Sequence, residues 1–454
     1  MSWNNKIGVG ISHMEILLTY PPKSLIKGWS SFLPFPMAPV CLGSFIESKG
    51  VKVKIYHDQP YDIRNILQII KECKPEIFGM TCDSSNYNSC FRLSKLAKKI
   101  DKNLLVILGG IHATFFHKEI IERIPSVDVV VRGEGERTLL EIIKCLEAGQ
   151  AKDRFSKIKG VSYKINGEIM VTPERPPINK LDSLPFLSYD LIDMKKIESY
   201  TFPGWWPLHT ARGCYFNCRY CSDVGFWGRK YRFKSSARVI KEIELCNKEY
   251  GIQGFFFNDL TFTTSKQRTY EICNQLKNRQ TKVKWGCFTR VDCVDKTLLT
   301  NMYESGCKII VYGVESFSDK MLRLMGKGYK NSLALDILNF SNKLGIDTRF
   351  ELLLGFPGET VDTLRETVSN LAMLNKGVTY NNINIFQIHP GSRIYNYANS
   401  LGLISADIWF SNFKMQDFIR IYYSNTFIKK IKKTAKEIER IFRKERKSKD
   451  KRLL

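Results

Sequence analysis

The chain predicts two successive α/β domains: a doubly wound, Rossmann-like five-stranded parallel sheet, then an open (β/α)6 partial TIM barrel with a helical C-terminal region. Three observations carry that expectation. Short apolar runs alternate with amphipathic stretches from residue 14 to 147, and again from 205 to 395. A loop with three closely spaced cysteines, ARGCYFNCRYCSD, opens the second series. At 454 residues the chain is also too long for one ordinary core.

In the first series, strands are expected at 14–20, 51–55, 77–82, 104–108 and 128–131. Helical patterns at 38–49, 62–73, 86–100, 115–123 and 136–147 separate and follow them. Sheets of this kind bind ligands outside the carboxyl ends of their strands. The residues placed there are Tyr20, Pro22, Thr81, Asp83, Ser84, Gly109, Gly110, Gly133, Glu134 and Gly135. So many small residues let backbone approach a large flat ligand, or simply mark tight turns; both readings stand. GGIHAT and GEGE lack the GxGxxG spacing, so a nicotinamide or flavin dinucleotide is not expected. His112 reads as a helix-start residue, not a metal ligand.

Between the two series the composition loosens, with Gly160, Gly167, Pro173, Pro176 and Pro177. Asn166-Gly167, set between alternating segments, predicts a β-hairpin. The expected domains are therefore 1–150, a linker with that hairpin at 151–204, 205–395, and a helical region with a basic tail at 396–454.

The second series predicts strands at 207–211, 254–258, 284–289, 308–313, 348–354 and 382–387, with helices at 236–249, 265–279, 295–305, 331–344 and 360–374. Six units are too few to close a full barrel. Polar residues gather at the expected strand ends: Asn258, Asp259, Arg290, Asp292, Glu315, Glu359 and His389. Cys214, Cys218 and Cys221 are spaced to converge on one small inorganic centre. A cubane iron–sulfur cluster takes four thiolates, so three leave one iron open for another ligand. A structural zinc site wants four donors, and the nearest others, His209 and Cys246, fall outside the loop. Trp205, Trp206 and Trp227 flank the loop and either shield it or pack the core.

Hydrophobic content of 43% and charged content of 25% are those of a globular protein. No run approaches the ~18 apolar residues of a membrane span, and the first residues do not read as a signal peptide. Thirteen scattered cysteines read as reduced thiols in a cytoplasmic protein. From Lys429 onward 13 basic residues face 4 acidic ones, so +9 of the net +25 lies there. Phe427, Ile431, Ala435, Ile438 and Phe442 give that stretch a helical apolar stripe. Its basic face is either solvated or in contact with a membrane surface or other polyanion.

The second half resembles the radical S-adenosylmethionine superfamily. CYFNCRYC matches the CxxxCxxC cluster loop, and FFFNDLTFT, FTRVD, GVES, GFPGET and HPGSRIY follow in the order of the cobalamin-dependent branch. The branch's paired carboxylates are Asn258-Asp259 here, so only the second is kept. The first half, through LPFPMAPVCLGSFIESKGVKV, VILGGIHATFF and VDVVVRGEGERTLLEII, resembles the cobalamin-binding domain that precedes many such enzymes, without the DxHxxG that supplies a lower cobalt ligand in others. The resemblance implies a [4Fe-4S] cluster on Cys214, Cys218 and Cys221, with S-adenosylmethionine near Tyr220, Asp259, Arg290, Glu315, Gly355, Pro357 and Gly358. It implies cobalamin against the strand-end residues of the first half, and an electron donor such as flavodoxin or ferredoxin.

The activity so implied is methyl transfer to an unactivated carbon or phosphorus through a 5′-deoxyadenosyl radical and methylcobalamin. The substrate is a small molecule, lipid or peptide. A non-methylating radical cyclase, oxidase or rearrangement enzyme shares the same cofactors and stays open. An RNA-modifying methylthiotransferase or nucleic-acid binder fits less well. Cys73, Cys82 and Cys90 fall on a helix, a strand end and a helix, and no small β-barrel RNA module is visible. The aromatic segment with Trp409, Phe410, Phe413, Phe418, Tyr422 and Tyr423 is expected to pack over the open side of the barrel.

Overall fold

The computed structural model describes residues 14–23, 35–58, 61–149, 152–194, 205–279, 283–411, 415–443 and 445–446. These fall into two compact units, one running to Asn179 and taking in 183–194, the other made of Lys180–Asp182 and the residues from 205 onward.

In the first unit, β1 (Glu15–Thr19), β2 (Lys52–Tyr56), β3 (Ile77–Thr81), β4 (Leu105–Gly109) and β5 (Val129–Val131) are parallel, in the order β2-β1-β3-β4-β5. Helices with apolar stripes cover them. Ile63–Cys73, for example, starts where the Asp62 carboxylate accepts from Arg64 N (2.8 Å) and buries Ile66 and Ile70. The sheet does not stop at five strands. β6 (Val161–Ile165) and β7 (Glu168–Val171) join it antiparallel, giving a mixed seven-stranded sheet in place of the expected five-stranded parallel one. The hairpin at Asn166 and Gly167 forms as predicted, with φ of 50° and 86°. It belongs to the sheet because β5 is only three fully buried valines, whose outer N–H and C=O groups need partners. Tyr163, Ser162 and Val161 pair with Val129, Val130 and Val131.

In the second unit, β8 (Trp206–Leu208) leads into a two-stranded antiparallel ribbon, β9 (Ala211–Arg212) and β10 (Arg232–Phe233), that brackets the cysteine loop. β11 (Gly254–Phe257), β12 (Lys284–Thr289), β13 (Cys307–Glu315), β14 (Asp347–Leu354) and β15 (Thr379–Ile385) follow. With β8 they form a parallel six-stranded sheet, β15-β14-β13-β12-β11-β8, as a partial barrel requires. Large aromatics pack between the sheet and its helices: Phe257 stacks on Phe262 at 4.5 Å, and Trp285 lies 5.4 and 5.5 Å from the two rings. Trp205 and Trp206 are buried, Trp205 packing with Phe256, Ile309 and Val311.

The basic C-terminal helix, Asn425–Ile441, packs on β15 and on helix Val361–Leu371. It buries Ile431, Ala435 and Ile438 and leaves Lys429, Lys432, Lys433, Lys436 and Arg440 exposed. Trp409 and Phe418 pack on each other at 5.4 Å, while Phe413 and residues 447–454 lie outside the described residues. Among the described residues no helix is long and apolar enough to cross a membrane.

Candidate active site

The cysteine loop is pinned at both ends. Gly213, just ahead of Cys214, has φ +84°, and a Cβ there would lie 2.0 Å from Lys230 O, so only glycine fits. Downstream, Arg219 N donates to Met325 O (2.9 Å), and Ile394 N donates to Arg219 O (3.0 Å). Cys218 is buried, and Cys214 and Cys221 are half-buried. Burial pushes the thiols of Cys214 and Cys221 up, and the neighbouring thiols add to the effect. Metal ligation must therefore displace their protons. Among the described residues no three His, Cys, Asp or Glu side chains are gathered around a point that could hold one ion. A cubane asks for a different spacing, because each thiolate sits on its own iron.

Arg290 ties the loop to the strand ends. Its Nη1 donates to Cys218 Sγ (3.2 Å), its Nε and Nη2 grip Asp292 (2.8 and 2.7 Å), and its guanidinium lies 3.8 Å over the Phe216 ring. A hydrogen bond to a cluster sulfur is one of the levers that sets a reduction potential.

Asp259 has work of its own. Buried at the end of β11, it accepts from Thr210 N (2.7 Å), Ala211 N (2.8 Å) and Thr210 Oγ1, fixing the chain that enters the cysteine loop. Burial raises its carboxyl, while Arg268 and these donors pull the other way. The sequence reading aimed Asp259 at the cofactor; in the structure its carboxylate is committed to this backbone. Asn258 is exposed.

Tyr220, Glu315 and a residue the sequence reading missed, Lys327, converge. Tyr220 OH donates to Glu315 Oε1 (2.9 Å), and Lys327 Nζ donates to the same oxygen (3.2 Å) and to Gly313 O (2.7 Å). The lysine is 3% exposed and sits 5.5 Å over the Tyr220 ring. Glu315 holds φ +74°, a region that non-glycine residues rarely occupy. Backbone strain of this kind persists where neighbours over-determine it. Only the backbone of its GKG setting reveals the lysine's role: Gly326 and Gly328 hold φ of +78° and +77° on either side of it.

The GFPGE turn lies beyond β14. Gly355 (φ +80°) and Gly358 (φ +97°) sit in the left-handed region that favours glycine, and a Cβ on either would press on the side-chain ends of Ile419 (2.8 Å) and Leu324 (2.5 Å). Pro357 between them is half-buried. Glu359 Oε2 accepts from Gly355 N (3.2 Å) and Tyr423 OH donates to Phe356 O (2.6 Å), locking the turn. Tyr423 comes from the aromatic segment, which the sequence reading had placed over the barrel.

In the first unit, strand order reverses between β1 and β3, the point where open sheets form a ligand crevice. Tyr20 OH donates to Asp83 Oδ2 across that point. Asn86, not singled out from sequence, donates to Pro21 O (2.9 Å) and Thr81 O (3.0 Å) and holds the two loops together, with Pro22 buried beside them. Ser84 Oγ lies 3.2 Å from His112 Nδ1, whose ring stacks on Tyr87 at 4.7 Å. Gly109 O accepts from Cys82 N (2.8 Å), and a Cβ on Gly110 would be 2.7 Å from Cys82 O. Gly133 N donates to Thr114 Oγ1 (3.1 Å), and its missing Cβ faces open space. Glu134 instead accepts from Ile178 N (2.5 Å), and Gly135 packs on Leu42. A rim of backbone and short side chains with room beside a bare glycine suits a broad, flat ligand such as a corrin.

The family description "B12 binding domain" matches residues 32–143, and "Radical SAM superfamily" matches 208–371. An uncharacterized methyltransferase of Pyrococcus horikoshii is 33% identical over 398 residues, covering 87% of this chain and 85% of the relative. The anaerobic magnesium-protoporphyrin IX monomethyl ester cyclase of Rubrivivax gelatinosus is 30% identical over 311 residues, 66% of this chain and 54% of the cyclase, so the match spans about half of that protein. Among solved structures, the cobalamin-dependent S-adenosylmethionine radical enzyme OxsB with aqua-cobalamin bound superposes with a TM-score of 0.71 at 21% identity, over 86% of this chain and 62% of that one.

Proposed function

From the premise that the chain belongs to the cobalamin-dependent radical S-adenosylmethionine enzymes, we propose that it transfers a methyl group from S-adenosylmethionine to an unactivated carbon or phosphorus of its substrate. The observation that carries the reading is the joining of the three-cysteine loop to Arg290 and to the Tyr220–Glu315–Lys327 group within one unit, in a chain whose other unit offers a switch-point rim. Bound in these places, a [4Fe-4S] cluster supplies the electron that cleaves S-adenosylmethionine to a radical, and cobalamin carries the methyl group.

Cys214, Cys218 and Cys221 would hold three irons, and Arg290 would steady the buried sulfur of Cys218. Tyr220 and Lys327 fix Glu315 so that its remaining acceptor capacity can take the hydroxyls or ammonium of the cofactor. Asp259 sets the entry of the loop, and the locked turn at Gly355, Pro357 and Gly358 walls the same end of the sheet. Tyr20, Pro22, Thr81, Asp83, Ser84, Gly109, Gly110, Gly133, Glu134 and Gly135 would line or support the cobalamin rim. An acidic one-electron carrier such as flavodoxin or ferredoxin, in the reducing cytoplasm, would complete the system.

The test is anaerobic purification with cobalamin supplied, followed by turnover with methyl-labelled S-adenosylmethionine. About four irons and one cobalt per chain, with label in the product, is the expected result. Both metals with an unlabelled, cyclised or oxidised product would replace methyl transfer by the chemistry of the cyclase relative. Iron without cobalt would remove the cobalamin assignment.

A further inference from the structure

On the inner face of the second sheet stands a carboxylate that the reading above leaves unused. Phe350 of β14 packs on Phe317 (5.4 Å) and Phe442 (5.6 Å), with Leu352 and Leu354 buried on the same side. Side chains alternate along a strand, so Glu351 projects from the opposite, inner face. On β15 the register slips by one residue beside it: Phe350 pairs with Tyr380, but Glu351 pairs with Asn382. Asn381 is the extra residue, and bulges of this kind re-aim side chains near active sites. Three carboxamides close on Glu351 as a result. Asn381 Nδ2 donates at 2.5 Å and Asn382 Nδ2 at 3.2 Å to Oε1, and Asn384 Nδ2 at 3.5 Å to Oε2.

We propose that Glu351, with Asn381, Asn382 and Asn384, anchors an ammonium or similarly donor-rich cationic group of the substrate. This rests on the methyl-transfer reading for the reaction but names the substrate class on its own observations. Each amide spends one N–H on the carboxylate and keeps its carbonyl oxygen and its second N–H for other partners. With the lone pairs of the carboxylate and of three carbonyl oxygens, acceptors outnumber donors in the array. Among the described residues no lysine or arginine forms an ion pair with Glu351, and Glu315 is close enough to add its own negative field. Burial raises the Glu351 carboxyl to about 7. A half-buried carboxylate held by amide hydrogen bonds, with no cation paired to it among the described residues, is short of positive charge, and a substrate ammonium supplies it. An anionic substrate group would meet the Glu351 carboxylate, and a hydrocarbon would leave the acceptors unmet.

The test uses the cluster- and cobalamin-loaded full chain at about pH 8, with glucosamine, glucose and glucuronate as probes of one shape and three charges. Binding is read by ligand-observed magnetic resonance, and melting curves and cluster absorbance show that each variant is folded and loaded. Glucosamine should bind about tenfold more tightly than glucose, and glucuronate more weakly than either. Glu351→Gln, which keeps the shape, should remove the preference. Asn382→Ala should reduce it by about threefold. Equal binding of glucosamine and glucose, or a preference that survives Glu351→Gln, overturns the proposal. Label transfer is scored separately, so an ammonium preference without methyl transfer would sink the reaction and leave this anchor standing.

Discussion

Around the carboxyl ends of β11 to β14, the second unit buries or half-buries Asp259, Arg268, Arg290, Glu315, Lys327 and Glu351. The matching ends of β1, β3, β4 and β5 in the first unit carry glycines, hydroxyls, an asparagine and two carboxylates that are already engaged. Both rims occupy the place where parallel sheets bind ligands, yet one is furnished with charge and the other with backbone. A small ionic ligand is held by charge-assisted bonds, which are short and directional. A broad macrocycle is held by shape, which needs the absence of side chains. The same position on two sheets thus suits two classes of ligand.

Removing the charge side of the contrast should have the largest effect. Cys218→Ala takes away the buried thiol of the loop, and iron content and turnover should both fall to background while cobalt stays bound. Loss of both metals would mean the two rims are not independent. Arg290→Ala should come next. It strips Asp292 of its partner and Cys218 of its donor, costing about 2–4 kcal/mol in chemical unfolding. It should also shift the cluster potential to more negative values, since the reduced cluster loses a hydrogen bond and a cation. Asp259→Ala leaves Thr210 and Ala211 N–H groups without their acceptor, at about 2–3 kcal/mol. Iron retention should fall in parallel. The opposite rim is probed by Gly110→Ala, whose methyl would strike Cys82 O, at about 1–3 kcal/mol. Cobalt should be lost with iron intact.

The smallest effect concerns pH. The Glu351 carboxyl is raised to about 7 by burial, with Glu315 adding to the shift. The folded state therefore holds this proton at pH values where the unfolded chain has released it. Stability from this group is full below the ordinary carboxylate range and declines as pH rises through about 7. Glu351→Gln should flatten that decline by about 1–2 kcal/mol, read as melting temperature against pH.

The strands were legible because each is a short apolar run between turn residues; all eleven expected strands form within a few residues of their expected bounds. Sequence could not show that the hairpin joins the sheet, because that follows from the unsatisfied edge of the three-residue β5, a tertiary demand. Cys214, Cys218 and Cys221 were legible from spacing alone. Lys327 was not, since a lysine between glycines looks like any solvated turn until φ is known. Glu351 sits in an apolar run, TRFELLLG, where one acidic residue looks like an edge position. The asparagines of TYNNINIF carry no pairing signal until the strand register is seen.

The extra residue at Asn381 works as a splice that keeps two counts in step. Tyr380 pairs with Phe350 on the helix side and Asn382 with Glu351 on the inner side, although two steps of chain separate them. On a regular strand an even separation puts both side chains on one face; the bulge absorbs one residue and keeps Asn382 and Asn384 on the lining while Ile383 and Ile385 stay level with Leu352 and Leu354. Deleting Asn381 would therefore heal the bulge without inverting the wall, and would remove only one of the three amides that hold Glu351. The lining tolerates a change in chain length here, because the splice and not the ladder takes up the difference.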